Sequence, residues 1–205
     1  MTVLERTEPA VALPEPFARW FASRGWAPRA HQLELLAKAR AGRSVLLIAP
    51  TGAGKTLAGF LPTLVELSGS APAVQKGKNL ISTGRGIRRS GGLHTLYISP
   101  LKALAVDIAR NLERPVAEMN LPIRIETRTG DTPASKRQRQ RRDPPDILLT
   151  TPEQLALLLA SDDAPFLFGS LRRVILDELH SLVMSKRGDL LSLGLARLFT
   201  IAPGL

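Results

Sequence analysis

The chain has no cysteine among its 205 residues, and aromatic residues make up only 4% of it. The absence of cysteine excludes disulfides, thiolate metal ligands and cysteine nucleophiles, and it is compatible with a reducing compartment. Because aromatic side chains are scarce, aliphatic side chains must fill the core that a hydrophobic content of 44% allows. The length suits one sizeable domain.

The chain also lacks long apolar runs. No uncharged apolar stretch approaches the roughly 20 residues of a membrane span, and the first eight residues carry no apolar core of a signal peptide. We therefore expect a soluble, cytoplasmic protein. The net charge is +10, from 28 Lys and Arg against 18 Asp and Glu, which favours a polyanionic partner such as nucleic acid.

Two segments concentrate the basic residues. Each is either a solvated face, which is what a charge run usually is, or a contact surface for nucleic acid, and the sequence leaves both open. The first segment holds Lys76, Lys78, Arg85, Arg88 and Arg89, and the second holds Lys136, Arg137, Arg139, Arg141 and Arg142.

A glycine-containing loop at residues 49–56 separates an apolar run at 45–48 from an apolar-periodic segment at 57–67. The order strand, loop, helix is the context of a phosphate-binding loop, and it disfavours a chance surface turn. The general pattern begins with glycine, whereas this loop begins with Ala49. We expect its backbone to cradle a triphosphate, Lys55 to reach the outer phosphates and the Thr56 hydroxyl to hold Mg²⁺. The predicted nucleotide-binding residues are Thr51, Gly52, Ala53, Gly54, Lys55 and Thr56.

A second motif is an apolar run at residues 174–176 that ends in two carboxylates, Asp177 and Glu178. A nucleotide hydrolase needs an acid near the bound Mg²⁺ and a group that orients and deprotonates water. Adjacent acids at the carboxyl end of a buried strand supply both. We assign Mg²⁺ coordination to Asp177 and the role of general base to Glu178, with Lys55 as the third catalytic residue.

Apolar strand patterns alternate with helical patterns along the chain. We predict strands at 45–49, 94–99, 123–127, 146–150 and 173–176, and helices at 14–25, 30–41, 55–67, 101–119, 133–142, 152–160 and 188–200. Pro62 should kink or shorten its helix, and Pro115 should break another. Several strands are apolar at consecutive positions, which indicates an α/β fold whose parallel sheet is covered by helices on both faces.

The domain prediction has three parts. Residues 1–42 form an N-terminal helical segment, and residues 43–205 form the nucleotide-binding domain. Within that domain, residues 68–92 are rich in glycine and read as a flexible insertion.

Further short motifs follow predicted strands, and their order resembles the first RecA-like domain of a superfamily 2 helicase of the DExH type. They are residues 99–104 (Ser-Pro-Leu-Lys-Ala-Leu), 129–132 (Thr-Gly-Asp-Thr), 150–153 (Thr-Thr-Pro-Glu) and 177–180 (Asp-Glu-Leu-His). This combination is similar to the large helicase-related (Lhr) family, and within it to the bacterial ligase-associated DNA-damage-response helicases.

The resemblance implies roles that the residues alone do not give. Gln32 would read the adenine of ATP, and His180 would couple the nucleotide site to nucleic acid or to a second domain. Single-stranded DNA would be the partner, in DNA repair, with a DNA ligase and a nuclease as further partners. The nucleic-acid path would be lined by Pro100, Lys102, Gly130, Asp131, Thr151 and Pro152.

The chain departs from the family pattern at its end. Family members continue into a Ser-Ala-Thr motif and a second RecA-like domain that supplies an arginine finger, whereas this sequence stops at Leu205 with neither. We therefore expect the isolated chain to bind ATP and, weakly, DNA, with negligible hydrolysis and no unwinding. A P-loop kinase or transport ATPase, an ATP-gated clamp without turnover, and RNA in place of DNA are the alternatives.

Overall fold

Four short strands pair side by side as a parallel sheet in the computed structural model, which describes residues 12–50, 52–69 and 92–205. The strand order is β2-β3-β1-β4, and each neighbouring pair is parallel. The strands are β1 (Thr95–Ile98), β2 (Ile125–Arg128), β3 (Ile147–Thr150) and β4 (Arg173–Leu176).

Helices connect these strands and precede the first of them. Before the sheet come α1 (Glu15–Ser23), α2 (Ala30–Arg40) and α3 (Lys55–Gly69). Between the strands lie α4 (Lys102–Glu118), α5 (Ala134–Arg142), α6 (Pro152–Leu159) and α7 (Ala164–Phe168), and after β4 come α8 (His180–Val183) and α9 (Lys186–Ile201).

Alternate residues of the central strands face two separate cores. Tyr97 of β1 and Leu149 of β3 pack with α1 to α4, whereas Leu96 of β1 and Leu148 of β3 pack with α6, α7 and α9. Both central strands are buried along their whole length, as their uninterrupted apolar runs predict. The predicted α/β fold, with helices on both faces of a parallel sheet, is confirmed.

The predicted strand at residues 45–49 is wrong. These residues form neither helix nor strand, and Leu46 and Ile48 are 73% and 86% exposed. A strand forms only where its backbone groups find a partner, and within the described residues the sheet ends at β4 on one side and at β2 on the other. Apolar composition predicted burial here, but none of the described strands pairs with this segment.

The other differences concern proline and short helices. Helix α3 continues past Pro62 to Gly69, and α4 continues through Pro115 to Glu118, so the predicted shortening and break do not occur. Helices α7 and α8 were not predicted, since each spans only four or five residues. Most of the predicted insertion at 68–92 lies outside the described residues, apart from the end of α3 and Gly92.

The two N-terminal helices share a core with the sheet. Phe17 of α1 and Leu36 of α2 are buried in the same cluster as Phe60 and Tyr97. The indole nitrogen of Trp20 also donates a hydrogen bond to Glu118 of α4 over 2.7 Å. The division at residue 42 stays a prediction. None of the helices in the described part of the chain combines the length and hydropathy of a membrane span.

Candidate functional site

The carboxyl ends of all four strands meet at one edge of the sheet. Ile98 of β1 is level with Thr150 of β3 and with Leu176 of β4, and Arg128 of β2 is also level with Thr150. The residues that follow each strand therefore lie along the same edge, where open α/β sheets bind their ligands. The structure thus brings four of the predicted motifs together, and their residues 99, 129, 151 and 177 are the first to follow β1, β2, β3 and β4.

The predicted phosphate-binding loop leads directly into α3. Gly52 and Gly54 have φ angles of +79° and +76°, a left-handed conformation that favours glycine. Lys55 is the first residue of α3, and its Nζ donates a hydrogen bond to the carbonyl of Ala49 over 2.8 Å. Thr51 lies outside the described residues.

Gln32, the predicted adenine reader, contacts this loop. It is 3% exposed, its Oε1 accepts a hydrogen bond from the Arg29 amide over 2.9 Å, and its Nε2 donates to the Gly54 carbonyl at 3.4 Å. The Arg29 guanidinium donates to the Gly52 carbonyl over 3.2 Å. Two hydrogen bonds therefore join the start of α2 to the loop, and the third orients the Gln32 side chain within α2.

Asp177 is held at both carboxylate oxygens. Oδ1 accepts the backbone N–H of Glu178 over 2.9 Å, and Oδ2 accepts the hydroxyl of Tyr97 over 2.6 Å. Burial, and after it the hydrogen bond to Asp177, raises the pKa of Tyr97 far above its ordinary value, so the hydroxyl remains a donor at neutral pH.

Glu178 follows with an unusual backbone. Its φ angle is +47°, in the left-handed region that non-glycine residues rarely adopt and that recurs at functional sites. The carboxylate is 40% exposed, and its Oε2 lies 3.5 Å from Nδ1 of His180, which is itself 80% exposed. The structure therefore places Asp177 inward against β1 and Glu178 with His180 toward solvent.

Lys102 and Asp131 come together from two different motifs. Lys102 Nζ lies 2.7 Å from Asp131 Oδ2, although both side chains are mostly exposed. They line a cavity of about 450 Å³ between α4, the end of β2 and α5, together with Thr129 and Lys136. The lining combines two lysines and three threonines with the carboxylates of Asp107 and Asp131. The lysines and hydroxyls suit phosphate, provided that it displaces Asp131 from Lys102.

Arg137 fixes the loop that carries Gly130 and Asp131. Its Nε donates to the Thr132 carbonyl over 2.6 Å, and a terminal nitrogen donates to the Gly130 carbonyl over 2.7 Å. Both carbonyls are thereby satisfied from α5, so one arginine of the basic segment has a structural partner.

Arg187 of α9 joins two other motifs. It donates to the Pro100 carbonyl over 2.6 Å and forms an ion pair with Glu153. The guanidinium lowers the pKa of Glu153 to about 2, so this carboxylate stays ionised at any physiological pH. Pro100, Thr151 and Pro152 are themselves buried, so a ligand at this edge would meet their exposed neighbours first.

The second basic segment is only partly available for a ligand. Arg139 pairs with Glu126, and Arg141 pairs with Asp163. Lys136, which lines the cavity, forms no ion pair with any described residue. The first basic segment, residues 76–89, lies outside the described residues.

Sequence reasoning did not single out Tyr97 or Arg187. Tyr97 is the only tyrosine of the chain and stands between Leu96 and Ile98 in β1, which is a usable signal. Arg187 lies in a helix far along the chain from both of its partners, and no spacing rule points to it. No hydrogen bond or ion pair in the described part of the chain joins Lys55 to Asp177 or Glu178.

A family model described as DEAD/DEAH box helicase matches residues 29–203 of the chain. The match covers more than half of the sequence, and the chain therefore belongs to the DEAD/DEAH box helicase family. The predicted helicase resemblance is confirmed at this level.

Particular relatives are Lhr helicases. The chain is 41% identical over 189 residues to the Lhr helicase/probable uracil glycosylase of Mycolicibacterium smegmatis, which covers 87% of this chain and 12% of that protein. It is 38% identical over 208 residues to the Lhr helicase/uracil glycosylase of Escherichia coli, covering 95% of this chain and 13% of that protein. The structure of Mycobacterium smegmatis Lhr bound to ssDNA and AMP-PNP matches with a TM-score of 0.77 and 37% identity, over 92% of this chain and 23% of that one. The chain thus spans less than a quarter of the length of these relatives.

Proposed function

We propose that this chain is the first RecA-like, ATP-binding domain of an ATP-dependent DNA helicase of the DExH type. The observation that carries the proposal is the alignment of the strand ends, which puts Asp177 and Glu178 on the same edge as the motifs at residues 99, 129 and 151. A motor needs its nucleotide and nucleic-acid contacts on one rigid frame, since closure on ATP must move the nucleic acid.

The residues fit a nucleotide with Mg²⁺. The described residues contain no cluster of three or more His, Cys, Asp or Glu side chains that could hold a metal. Mg²⁺ does not need one, because it keeps several waters and binds through one or two protein oxygens plus substrate phosphates. Thr56 and Asp177 would supply those oxygens, and the bound ion would neutralise charge on the transferred phosphoryl group.

The chain's own residues then divide the work. The loop amides at 52–54 and Lys55 would bind the phosphates, and Gln32 would contact the adenine after exchanging its hydrogen bond to Gly54. Glu178, which faces solvent beside Asp177, would accept the proton of the attacking water. His180 at 3.5 Å from Glu178 would relay the state of that carboxylate to a partner domain.

Nucleic acid would cross the exposed cavity at Lys102, Gly130 and Asp131. Its phosphates would replace Asp131 as the partner of Lys102 and would form a second ionic contact with Lys136. Buried Pro100, Thr151 and Pro152 would shape the path by positioning their exposed neighbours. Backbone contacts of this kind do not separate DNA from RNA. DNA is favoured by the relative whose structure was solved with ssDNA at 37% identity.

The wider setting belongs to the same proposal. We place the protein in the cytoplasm, in DNA repair, with a DNA ligase and a nuclease as partners of the intact protein. Residues 1–42 would act as the segment that carries the adenine contact, and residues 43–205 as the motor domain. These assignments rest on the resemblance of the motifs to the ligase-associated branch.

Nucleotide and DNA binding by the full chain test the proposal. A fluorescent ATP analogue should bind with Mg²⁺ and lose at least about tenfold in affinity in Lys55→Ala, as expected for loss of a charge-assisted contact. Lys38→Ala is the matched control, because Glu34 on the surface of α2 is its one ion-pair partner among the described residues. Equal affinities for the Lys55→Ala variant and the wild type would refute the phosphate assignment.

Turnover tests the second assignment. In the full-length gene product, Glu178→Gln should keep ATP binding and abolish DNA-stimulated hydrolysis, because the amide cannot accept the proton of water. Hydrolysis that survives in this variant would show that Glu178 is not the base.

An ATP-gated clamp without turnover is the second candidate for the isolated chain. The span of 12% and 13% of the two Lhr relatives favours it, because an arginine finger from another part of such a protein would not be supplied by these residues. Single-turnover assays separate the two readings: a clamp binds ssDNA more tightly with the ATP analogue and releases no phosphate, whereas a motor domain that is complete in itself hydrolyses ATP.

A further inference from the structure

Tyr97 stands between the two halves of the proposed nucleotide site. Its ring is 1% exposed and stacks on Phe60 of α3 with centroids 5.4 Å apart. Its hydroxyl donates to Asp177 Oδ2 over 2.6 Å, across 80 residues of sequence. Helix α3 begins at Lys55, so the ring packs against the helix that carries the phosphate-binding residues while the hydroxyl reaches the predicted metal ligand.

We infer that Tyr97 is a positioning residue that holds the Asp177 carboxylate in the orientation required to bind Mg²⁺. The inference rests on the proposed function, in which Asp177 is the metal ligand. Carboxylates that bind metals are themselves hydrogen-bonded by outer groups, and loss of such a group typically costs 10–100-fold in metal affinity or activity.

The geometry supports positioning for two reasons. The packed ring fixes the place of the hydroxyl, because Tyr97 lies level with Ile175 of β4 and against Phe60 of α3. The second carboxylate oxygen of Asp177 accepts the Glu178 amide, so the group is held at both oxygens and cannot rotate without breaking a hydrogen bond. Each oxygen keeps a lone pair for a further partner.

The alternative is that Asp177 merely satisfies the buried hydroxyl. A buried tyrosine hydroxyl requires a partner, and the bond would then contribute to stability without affecting the metal. The two possibilities differ in what removal of the hydroxyl does to Mg²⁺ dependence while Asp177 is intact: positioning predicts a loss, and a purely stabilising bond predicts none.

The test uses Tyr97→Phe in the full chain, which keeps the stacked ring and removes only the hydroxyl. Binding of a fluorescent, non-hydrolysable ATP analogue is measured while MgCl₂ is titrated, and again in EDTA. We expect the Mg²⁺ concentration at half-saturation to rise about tenfold, while the affinity in EDTA changes by less than about twofold. Ser170→Ala is the matched control, since it removes a hydroxyl that donates to the Leu93 carbonyl away from the site.

A double-mutant cycle with Asp177→Asn then shows whether the loss in Tyr97→Phe acts through the carboxylate. If Tyr97 acts through the carboxylate, Tyr97→Phe has no further effect on Mg²⁺ dependence in the Asp177→Asn background. An unchanged Mg²⁺ dependence in Tyr97→Phe, or the same loss in both backgrounds, overturns the inference. A wild-type chain that binds the analogue equally with and without Mg²⁺ overturns the proposed metal site itself, and that outcome is visible before any variant is made.

Discussion

Removing the Arg187 side chain should loosen two motifs that are far apart in sequence. In the Arg187→Ala variant, the Pro100 carbonyl loses its donor at 2.6 Å and Glu153 loses its ion pair. Both partners lie next to segments proposed to face nucleic acid. The effect should therefore appear in stability and in DNA binding together.

The magnitude follows from exposure. Arg187 and Glu153 are 39% and 47% exposed, so solvent screens their ion pair and its contribution is about 0.5 kcal/mol. The hydrogen bond to the part-buried Pro100 carbonyl contributes about 1 kcal/mol. A total of about 1.5 kcal/mol lowers the melting temperature of a domain of this size by roughly 3–6 °C.

The binding effect is smaller but measurable. Without Arg187, the segment at Pro100 must be ordered by DNA binding itself, which costs the ~1 kcal/mol of the lost hydrogen bond. The affinity for DNA then falls about fivefold. Thermal unfolding and fluorescence anisotropy with a labelled single strand measure the two quantities. Arg187→Lys should recover only part of each loss, because lysine keeps the charge without the planar fork.

Arg197→Ala is the control on the same helix, since Arg197 is exposed and makes no hydrogen bond or ion pair with the described residues. A melting temperature of Arg187→Ala within about 1 °C of the wild type, with unchanged DNA affinity, would refute the reasoning. So would an equal loss in Arg197→Ala, because the effect would then come from charge alone.

Three further predictions concern other parts of the molecule. Gly54→Ala should weaken binding of the ATP analogue and lower stability by about 1–2 kcal/mol, because φ is +76° and a Cβ would lie 2.9 Å from Gln32 Nε2. Gly25→Ala is the control: φ is also positive there but the surrounding space is open, so this variant should lower stability alone. Lys102→Ala should reduce the salt slope of single-strand binding by about 0.7, as measured by anisotropy at several salt concentrations, and an unchanged slope would contradict a phosphate contact. Burial lowers the pKa of His94 below 6.5, so the unfolded chain binds the proton more readily and stability falls as pH drops through 6.5. In His94→Gln the melting temperature should depend less on pH between 7 and 5, and an unaltered pH profile would contradict this.

The sheet was predictable because β1, β3 and β4 are mainly apolar runs, whereas β2 lies in a segment where apolar and polar residues alternate, at 123–126. Parallel pairing then places every strand end at one edge, so the meeting of the motifs at 99, 129, 151 and 177 follows from local pattern plus one rule of topology. The predicted boundaries differ from the observed ones by one or two residues at most positions, as the fraying of element ends leads one to expect.

The failures have physical causes. The run at 45–49 has strand composition, but a strand depends on a neighbour that composition does not reveal. Pro62 and Pro115 do not end their helices, because tertiary packing around these buried prolines outweighs the loss of one hydrogen bond each. Tyr97 and Arg187 contact segments that are distant in sequence, and Arg137 donates to backbone carbonyls. Neither kind of contact produces a periodic pattern in the sequence.

At Glu178 the requirements of stability and of the proposed reaction conflict, because its backbone is left-handed. A side chain at φ +47° costs about 1–2 kcal/mol relative to glycine, so a sequence chosen only for stability would carry glycine there. Glu178→Gly should thus fold at least as well as the wild type while losing the carboxylate that the proposed reaction requires. Selection of variants of this protein for thermostability alone would therefore favour an inactive variant, unless activity were screened at the same time.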